Sequence, residues 1–297
     1  MLLLSPKKFT DYELIDCGDF LKLERFGKII TIRPEPQAVW SATLNYNEWL
    51  KMADVVFEAK SSSSGTWKKQ KNVADSWMIK YHIDSIDKTI DFRLALTSFK
   101  HVGVFPEQAV NWDYIGEGLK KIKNDKKNFL NLFAYTGGAS LAAKAAGADT
   151  THVDSIKQVV TWANSNMEIS KLNHIRWVVE DALKFVKREV KRGNTYHGII
   201  LDPPAYGHGP NGEKWKLEDN INEMIQLVLQ LLNPQEHFLI LNAYSLGFSG
   251  IILENLLNTH LVKFPKAKIE TGELFLQSTH KNKLPLGVFG RVELFKK

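Results

Sequence analysis

Cysteine is almost absent from this chain of 297 residues, which has a single one, Cys17. One cysteine excludes an intramolecular disulfide framework and any zinc site that needs several thiolates. The sequence therefore predicts a protein without a bound metal in a reducing compartment, and we expect it in the cytoplasm.

Long hydrophobic runs are also missing. No apolar run approaches the roughly 20 residues that a helix needs to cross a bilayer. The apolar residues from Met1 to Leu4 are followed directly by Ser5-Pro6-Lys7-Lys8, and they lack the charged start and the length of a secretory signal. We therefore expect neither a membrane span nor a signal sequence.

Acidic residues are the minority among the charged ones. The chain has 33 Asp and Glu against 39 Lys and Arg, which gives a formal net charge of +6. A basic surface favours a polyanionic partner such as nucleic acid, but a modest lysine excess is also common on surfaces that bind nothing. Charge alone leaves an RNA partner open. The hydrophobic fraction of 44% is ordinary for a globular protein.

The hydrophobic pattern changes near residue 125. Residues 1–110 contain short strand-like runs, including a hairpin that turns at Gly27, and they predict a small strand-rich α+β domain. Residues 111–127 predict a linker helix with a lysine-rich end, and residues 128–297 a larger domain. The segment from Lys60 to Lys71 has four lysines and no acid. It predicts an exposed loop whose contact with phosphate stays open.

Strand-like runs alternate with helix-period segments beyond residue 128, which is typical of a parallel sheet covered by helices. We predict seven strands, at 129–133, 151–154, 176–180, 197–202, 237–242, 268–274 and 288–295, with helices near 140–146, 155–171, 182–191, 217–232 and 249–261. No helix separates the last two strands, so the last strand should be antiparallel. The predicted fold class is α/β, with a Rossmann-like, mostly parallel sheet.

A glycine-containing turn follows the first of these strands, at Phe133-Ala134-Tyr135-Thr136-Gly137-Gly138. Glycine lets the backbone pass close beneath a ligand at the carboxyl edge of a sheet, and the next helix offers free amide groups there. Many tight turns share this feature, and the full G-x-G-x-x-G pattern is absent. The turn alone therefore indicates a nucleotide site without naming the nucleotide.

Two acidic residues lie at the carboxyl ends of the next two predicted strands, the same edge of the sheet as the turn. Asp154 ends the second strand and precedes Ser155, where an open α/β sheet places a carboxylate that accepts ribose hydroxyls. Asp181 precedes Ala182 after the third strand, a position suited to the amino group of adenine. Helix N-capping is the other interpretation of Asp181, because aspartate favours that position. The two roles are compatible.

The most specific segment of the chain is Asp202-Pro203-Pro204-Ala205-Tyr206, after the fourth strand. Two consecutive prolines fix their φ angles and remove two amide donors, so the turn is stiff and its carbonyls can face a substrate amine or ring. We predict Asp202, Pro203, Pro204 and Tyr206 as the catalytic residues. Tyr206 either stacks on a flipped base or packs beneath the loop. His208, Trp215 and Lys216 are weaker candidates for contacts with substrate.

Taken together, these segments resemble the bacterial large-subunit ribosomal-RNA methyltransferases, the group that makes 5-methylcytosine or 7-methylguanine. The similarity lies in residues 131–140, Val153-Asp154-Ser155, Glu180-Asp181-Ala182 and Leu201-Asp202-Pro203-Pro204. It implies a class I methyltransferase with S-adenosylmethionine as cofactor and RNA as substrate.

The resemblance also implies a cofactor site. Upstream of the turn, Phe105-Pro106-Glu107-Gln108-Ala109 is similar to a family segment F-x-D-Q-R that helps to close over the cofactor, with Glu107 in place of the acid and Ala109 in place of the arginine. The predicted cofactor-binding residues are Gln108, Phe133, Ala134, Tyr135, Thr136, Gly137, Asp154, Ser155, Asp181, Ala182 and Asp202.

The position of the cysteine bears on which atom is methylated. Methylation of cytosine C5 usually needs a cysteine that first adds to the ring. The relatives of that type carry it after the fifth strand, where this chain has Leu241-Asn242-Ala243-Tyr244-Ser245. We therefore predict methylation of a base nitrogen in ribosomal RNA. The alternatives are a methyltransferase for a protein or small molecule, an NAD-dependent oxidoreductase, which shares the turn and the acid, and a non-catalytic RNA-binding protein.

Overall fold

The computed structural model describes residues 1–61, 64–244 and 247–296, and strands and helices are numbered along them. The N-terminal part contains β1 (Leu2–Leu4), β2 (Tyr12–Gly18), β3 (Leu21–Phe26), β4 (Ile29–Pro34), α1 (Tyr46–Met52), β5 (Val55–Ala59), β6 (Gly65–Lys69), β7 (Ser76–Ile83) and β8 (Lys88–Ala95). Strands β2 to β6 form one sheet, and β7 pairs with β8 as an antiparallel ribbon.

The rest of the chain alternates helices and strands. Its elements are α2 (Ala109–Lys121), β9 (Asn128–Leu132), α3 (Gly138–Ala145), β10 (Asp149–Asp154), α4 (Lys157–Ile169), β11 (Arg176–Val179), α5 (Ala182–Arg192), β12 (Gly198–Leu201), β13 (Tyr206–His208), β14 (Lys214–Lys216), α6 (Leu217–Val228), β15 (His237–Ala243), α7 (Gly250–His260), β16 (Lys268–Gln277) and β17 (Lys283–Leu294). Strands β13 and β14 form a separate antiparallel hairpin.

Within the described residues, the largest sheet has eight strands in the order β1-β16-β17-β15-β12-β9-β10-β11. Its strands pair in parallel except at β17, which runs antiparallel to both β15 and β16. The predicted α/β fold class, with its antiparallel last strand, is confirmed.

The sheet has one strand more than the seven predicted, because the N-terminal β1 pairs with the edge strand β16. Three apolar residues show no periodicity, so the sequence could not identify this strand. Gly272 permits the pairing, since a Cβ at this position would collide with the carbonyl oxygen of Leu2. The strand is thus determined by a long-range contact and not by its own sequence.

Hydrophobic side chains cover the sheet on both faces. Every residue of β12 and of β15 is buried, as expected for central strands between two helical layers. One cluster joins Phe129 and Ile200 to helices α2 and α3, and the other joins Leu130 and Leu201 to helices α5, α6 and α7. Successive side chains of β9 and β12 therefore point in turn into the two helical layers. This packing holds the sheet between the layers and leaves its carboxyl edge open.

The first of these clusters continues into the N-terminal part, through residues such as Cys17 and Phe92. The ring of Phe92 stacks on that of Trp112 in α2, with centroids 5.0 Å apart. The N-terminal strands therefore pack against the helical layer beside the carboxyl edge. The division of the chain into domains at residues 110 and 128 stays a prediction.

The expected exposed loop from Lys60 to Lys71 is partly wrong. Residues Gly65–Lys69 form β6 and pair with β5, and the ring of Trp67 packs against Phe57 with centroids 5.2 Å apart. This aromatic contact explains why a lysine-rich segment forms a strand. Ser62 and Ser63 lie outside the described residues. In the part of the chain that is described, no helix is long and apolar enough to span a membrane.

Candidate active site

A cavity of about 530 Å³ opens at the carboxyl edge of the large sheet. Its size lies in the range of small-molecule and cofactor sites. Of the residues predicted from the sequence, it is lined by Phe133, Tyr135, Asp154, Ser155, Asp181, Ala182, Asp202, Pro203, Pro204, Tyr206, His208 and Trp215. A smaller cavity of about 60 Å³ shares Phe133, Tyr135 and Asp202 with it and adds Gln108, Ala134, Thr136 and Gly137. The structure thus gathers the predicted catalytic and cofactor-binding residues at one edge of the sheet.

The turn after β9 has an unusual backbone. The φ angles of Phe133, Tyr135 and Gly137 are 56°, 48° and 92°. A positive φ is costly for residues other than glycine, and it persists where the surroundings impose it, often at binding sites. Space also favours glycine at 137, because a Cβ there would lie only 3.1 Å from the Cβ of Ala163. The turn is therefore held in one shape that brings its backbone to the cavity wall.

Buried polar side chains hold this turn from below. The side chain of Asn131 donates to Ser140 Oγ (2.9 Å), and Ser140 Oγ lies 3.0 Å from His152 Nδ1. Burial lowers the pKa of His152 to about 3, so the ring is neutral. Thr136 Oγ1 donates to the carbonyl of Gly103 (2.7 Å). These bonds connect β9, α3 and β10 beneath the cavity and fix the start of α3.

Asp154 lies where the sequence predicted a ribose-binding carboxylate. Its Oδ2 accepts the N–H of Tyr135 (2.9 Å) and its Oδ1 accepts the N–H of Ile156 (3.0 Å). Burial nevertheless raises the pKa of this carboxyl above its usual range. Each carboxylate oxygen has two lone pairs, so the backbone bonds orient the group and leave acceptor capacity towards the cavity.

Asp181 caps helix α5. Its side chain accepts the backbone N–H of Lys184 (2.8 Å), which is the N-capping interpretation considered from the sequence. The residue also lines the cavity, next to Ala182. The cap uses one carboxylate oxygen, Oδ1, so the structure accommodates both interpretations at the same position.

Asp202 stands at the end of a hydrogen-bonded network. Gln108 Nε2 donates to Asp202 Oδ2 (2.9 Å), and Gln108 Oε1 accepts from Asn111 (2.8 Å) and Asn242 (3.2 Å). Arg291 Nη2 donates to Asn111 Oδ1 (2.9 Å), which extends the network to β17. Burial raises the pKa of Asp202 to about 7. Asn111, Asn242 and Arg291 were not predicted from the sequence, because their pairing depends on three distant segments.

The Pro-Pro loop is anchored by a buried tryptophan. Trp215 Nε1 donates to the carbonyl of Pro204 (2.7 Å), and its ring packs on Phe133 with centroids 4.9 Å apart. The Pro204 carbonyl therefore accepts a hydrogen bond within the protein, which corrects, for this one carbonyl, the expectation that the carbonyls of the turn face a substrate. Trp215 is only 3% exposed, so it supports the loop and offers little surface for substrate.

The hairpin after this loop presents four polar or aromatic side chains on one face. Tyr206 lies opposite Lys216, and His208 lies opposite Lys214, while Gly207 and Trp215 point the other way. All four are exposed, and Tyr206 is 57% exposed at the cavity. Of the two alternatives for Tyr206, packing beneath the loop is thereby excluded.

Four more side chains that the sequence did not predict also line the cavity. They are Lys100, His101, Glu107 and Tyr244, which come from segments before α2 and after β15. Only the resemblance could have indicated Glu107, at the position of the family's acid. In residues 1–61, 64–244 and 247–296 no group of three or more His, Cys, Asp or Glu side chains is arranged to hold a metal ion.

A solved structure from Agrobacterium tumefaciens, described as a SAM-dependent methyltransferase, is 34% identical in sequence to this chain. The match covers 99% of this chain and 93% of that one, with a TM-score of 0.91. The chain belongs to the S-adenosylmethionine-dependent methyltransferases. This methyltransferase therefore uses S-adenosylmethionine, and the alternative of an NAD-dependent oxidoreductase is wrong.

More distant solved structures share the fold. SMU.776, crystallised with SAH (S-adenosylhomocysteine), is 18% identical and has a TM-score of 0.71, and the match covers 97% of this chain and 76% of that one. The tRNA m1G37 methyltransferase of M. jannaschii is 12% identical with a TM-score of 0.53, over 96% of this chain and 72% of that one. At these identities the likeness shows the methyltransferase fold alone.

Curated relatives match part of the chain. The Ribosomal RNA large subunit methyltransferase K/L of Shewanella frigidimarina is 30% identical over 155 residues, or 51% of this chain and 21% of that protein. The protein of the same name from Hahella chejuensis is 42% identical over 117 residues, or 36% of this chain and 15% of that protein. The family described as "Conserved hypothetical protein 95" matches residues 117–240. This class I methyltransferase is thus related to the K/L enzymes, but it spans about a fifth of their length.

Proposed function

We propose that this methyltransferase transfers a methyl group to a nitrogen of a base in RNA, and that the RNA is ribosomal. The observation that carries the proposal is the juxtaposition of Asp202, at the cavity, with the exposed hairpin face formed by Tyr206, His208, Lys214 and Lys216. At this opening, the carboxyl of Asp202 can orient an amine, and the basic and aromatic side chains of the hairpin face can hold RNA.

The residues that line the two cavities suggest where the cofactor binds. We propose that Asp154 accepts the ribose hydroxyls, that Asp181 faces the adenine, and that the turn from Phe133 to Gly137 lies beside the rest of the cofactor, with Gln108 closing over it. The bound cofactor supplies an activated methyl group on a sulfonium. The protein then has to align the accepting atom and exclude water, which requires few reactive side chains.

The location of Cys17 supports a nitrogen as the accepting atom. Its side chain is fully buried in β2, it does not line either cavity described above, and burial raises its pKa to about 11. A thiol in this state does not supply the nucleophile that cytosine C5 requires. Of the two modifications made by the group that the sequence resembles, 7-methylguanine is a nitrogen methylation and agrees with the site, whereas 5-methylcytosine of the cysteine type does not.

The geometry of Asp202 suits an N–H donor. Gln108 occupies its Oδ2, and among the described residues no hydrogen bond reaches its Oδ1. We propose that Oδ1 accepts an N–H of the target base and thereby turns the lone pair of the methylated nitrogen towards the methyl carbon. The N–H belongs to the methylated nitrogen itself where that atom carries hydrogen, and to another group of the base where, as at guanine N7, it does not. Pro203 and Pro204 restrict the backbone that carries this carboxyl and thereby limit its movement.

The hairpin face supports RNA as the substrate. Lysines contact phosphates without regard to sequence, and an exposed aromatic ring stacks on an unpaired base. Tyr206 is the ring nearest to Asp202 in the chain, so a base that stacks on it enters the cavity beside the carboxyl. The formal net charge of +6 and the name of the curated relatives agree with this substrate.

The test is a methylation assay with purified protein, labelled S-adenosylmethionine and total RNA from cells that lack the gene. We expect label in ribosomal RNA, and nucleoside mass spectrometry should find one N-methylated base. The Asp202→Ala variant should leave that nucleoside unmodified. Label that enters only protein or small molecules from the same cells would contradict the proposal and favour the alternative substrate classes.

A further inference from the structure

Glu107 is a buried acid at the cavity for which the proposed reaction gives no role. The residue is only 2% exposed, and its Oε1 has no hydrogen-bond partner among the described residues. A buried oxygen without a partner costs about 1–3 kcal/mol, so most such groups in folded proteins are paired. Since Glu107 lines the cavity, a ligand there can supply the missing partner.

Three aromatic side chains lie on the same wall as Glu107. The ring of Phe105 is 5.2 Å from that of Tyr135 and 6.4 Å from that of Tyr244. All three line the cavity together with Glu107. Aromatic faces bind flat heterocycles by stacking, which is worth about 1–3 kcal/mol per base. The ring of Phe105 is inclined by 55° to each of the other two, so the three side chains form an aromatic lining on which a flat ring can stack, and we call it the aromatic slot.

Glu107 belongs to the reacting end of the cavity. It follows directly on Pro106 and precedes Gln108, whose side chain holds Asp202. Asp154, which ends β10, and Asp181, which comes after β11, are assigned to the adenosine. Because Glu107 adjoins the residue that holds Asp202, we place the accepting base beside these two carboxyls.

We propose that Glu107 is a specificity-determining residue whose carboxyl hydrogen-bonds the edge of the target base in the aromatic slot. The inference rests on the proposed function, because it requires a nucleobase as substrate. The ligand class is a base edge on which an N–H donor adjoins an acceptor atom, and a protonated carboxyl pairs with such an edge at two points.

The electrostatics of the wall agree with a protonated carboxyl. Burial raises the pKa of Glu107 to about 8, against the lowering effect of Lys22, and the charge of Asp202 adds to the rise. At pH 7 the group is therefore mostly neutral, with one O–H donor and one carbonyl acceptor. A glutamine side chain presents the same pair of functions with nearly the same shape.

The test compares Glu107→Gln with Glu107→Leu in the full-length protein, with RNA from cells that lack the gene as the probe. The Gln variant should keep kcat/KM for this RNA within about threefold. The Leu variant should lose at least about tenfold, which is the loss expected from one to two hydrogen bonds. The Kd for S-adenosylmethionine should stay the same in both variants.

Thermal stability separates recognition from a structural role. Because Oε1 of Glu107 is buried without a partner, replacement of this residue by leucine should leave the unfolding midpoint unchanged or raise it. The matched control is Glu236→Leu, at a buried glutamate that accepts the N–H of Lys123 (3.1 Å) and does not line the cavity. This control should lower the midpoint and leave kcat/KM unchanged.

The outcomes are distinguishable. If wild-type protein methylates RNA and the Leu variant does so equally well, the role of Glu107 is refuted and the proposed function stands. An equal loss in both variants with a lower midpoint assigns Glu107 to folding. A loss of S-adenosylmethionine affinity assigns it to the cofactor. If wild-type protein methylates no RNA, the proposed function fails and this inference fails with it.

Discussion

The side-chain amide of Gln108 donates a 2.9 Å hydrogen bond to the carboxylate of Asp202, across 94 positions of sequence. Gln108 directly precedes α2, and Asp202 directly follows β12, so the bond joins the helical layer to the carboxyl edge of the sheet. Asn111 and Asn242 hold the other end of the same amide. A carboxylate that is held in this way presents its free oxygen in one direction, which is what an in-line methyl transfer requires.

Removal of the Gln108 amide should weaken the binding of S-adenosylmethionine. In Gln108→Ala, Asp202 loses a donor, and the side-chain amides of Asn111 and Asn242 each lose one acceptor. We expect a rise in Kd of about tenfold, or ~1.4 kcal/mol. Calorimetric titration measures this directly. The matched control is Gln226→Ala on the exposed side of α6, which should bind like wild type. Equal affinity in both variants would remove Gln108 from the cofactor site.

The raised pKa of Asp202 makes stability depend on pH. Its pKa is about 7 in the folded protein and about 3.9 in an unfolded chain, so the folded state binds the proton more tightly. The resulting stabilisation is complete below about pH 4, declines as the pH rises and is lost above about pH 7. Asparagine at this position is neutral at every pH in this range. As the pH rises from 5 to 8, wild type loses this stabilisation and Asp202→Asn does not, so the stability of Asp202→Asn relative to wild type should increase.

Thermal unfolding at pH 5, 6, 7 and 8, without added cofactor, checks this expectation. The difference in midpoint between Asp202→Asn and wild type should grow across the series. Asp149→Asn, at an exposed position on β10, is the matched control and should show no such trend. A constant difference for Asp202→Asn would mean that the carboxyl titrates normally in the folded protein.

Much of the fold was predictable because the central sheet follows local rules. Strands such as β12 and β15 are continuous apolar runs, and amphipathic helices separate most of them, so their order and type can be derived from periodicity. The eighth strand, β1, was not predictable, since three leucines form a strand only because β16 offers an edge at Gly272. Strand β6 also depends on a contact with another segment, the packing of Trp67 against Phe57. Its own sequence is rich in lysine and predicts a loop, so the strand was not predicted.

Some of the cavity residues could likewise be predicted from local sequence, and others could not. Asp154, Asp181 and Asp202 lie at or just after the carboxyl ends of parallel strands, and the topology brings these ends to one edge of the sheet. Asn242 and Tyr244 follow no pattern of this kind, because their importance depends on partners more than 100 positions away in the chain. Sequence periodicity has no information about such pairs.

Replacement of Cys17 should leave methyl transfer unchanged. The thiol is buried in the N-terminal sheet and has a pKa of about 11, so it does not act as a nucleophile. We expect Cys17→Ala to keep kcat within about twofold, and RNA that contains 5-fluorocytosine to form no covalent complex with wild-type protein. A trapped complex that disappears in Cys17→Ala would refute nitrogen methylation and restore the cytosine C5 mechanism.

The exposed ring of Tyr206 provides the last prediction, which concerns RNA binding. Tyr206→Ala should raise KM for RNA by about fivefold or more, the lower limit for one stacked base, and leave the Kd for S-adenosylmethionine unchanged. Tyr206→Phe keeps the ring and loses only the hydroxyl, which lies 3.3 Å from His208 Nε2, so it should behave like wild type. Tyr46→Ala, at a tyrosine that is 47% exposed on α1, controls for the loss of an exposed ring elsewhere. If Tyr206→Phe is impaired as strongly as Tyr206→Ala, the hydroxyl and its contact with His208 are what the substrate requires, and stacking on the ring is refuted.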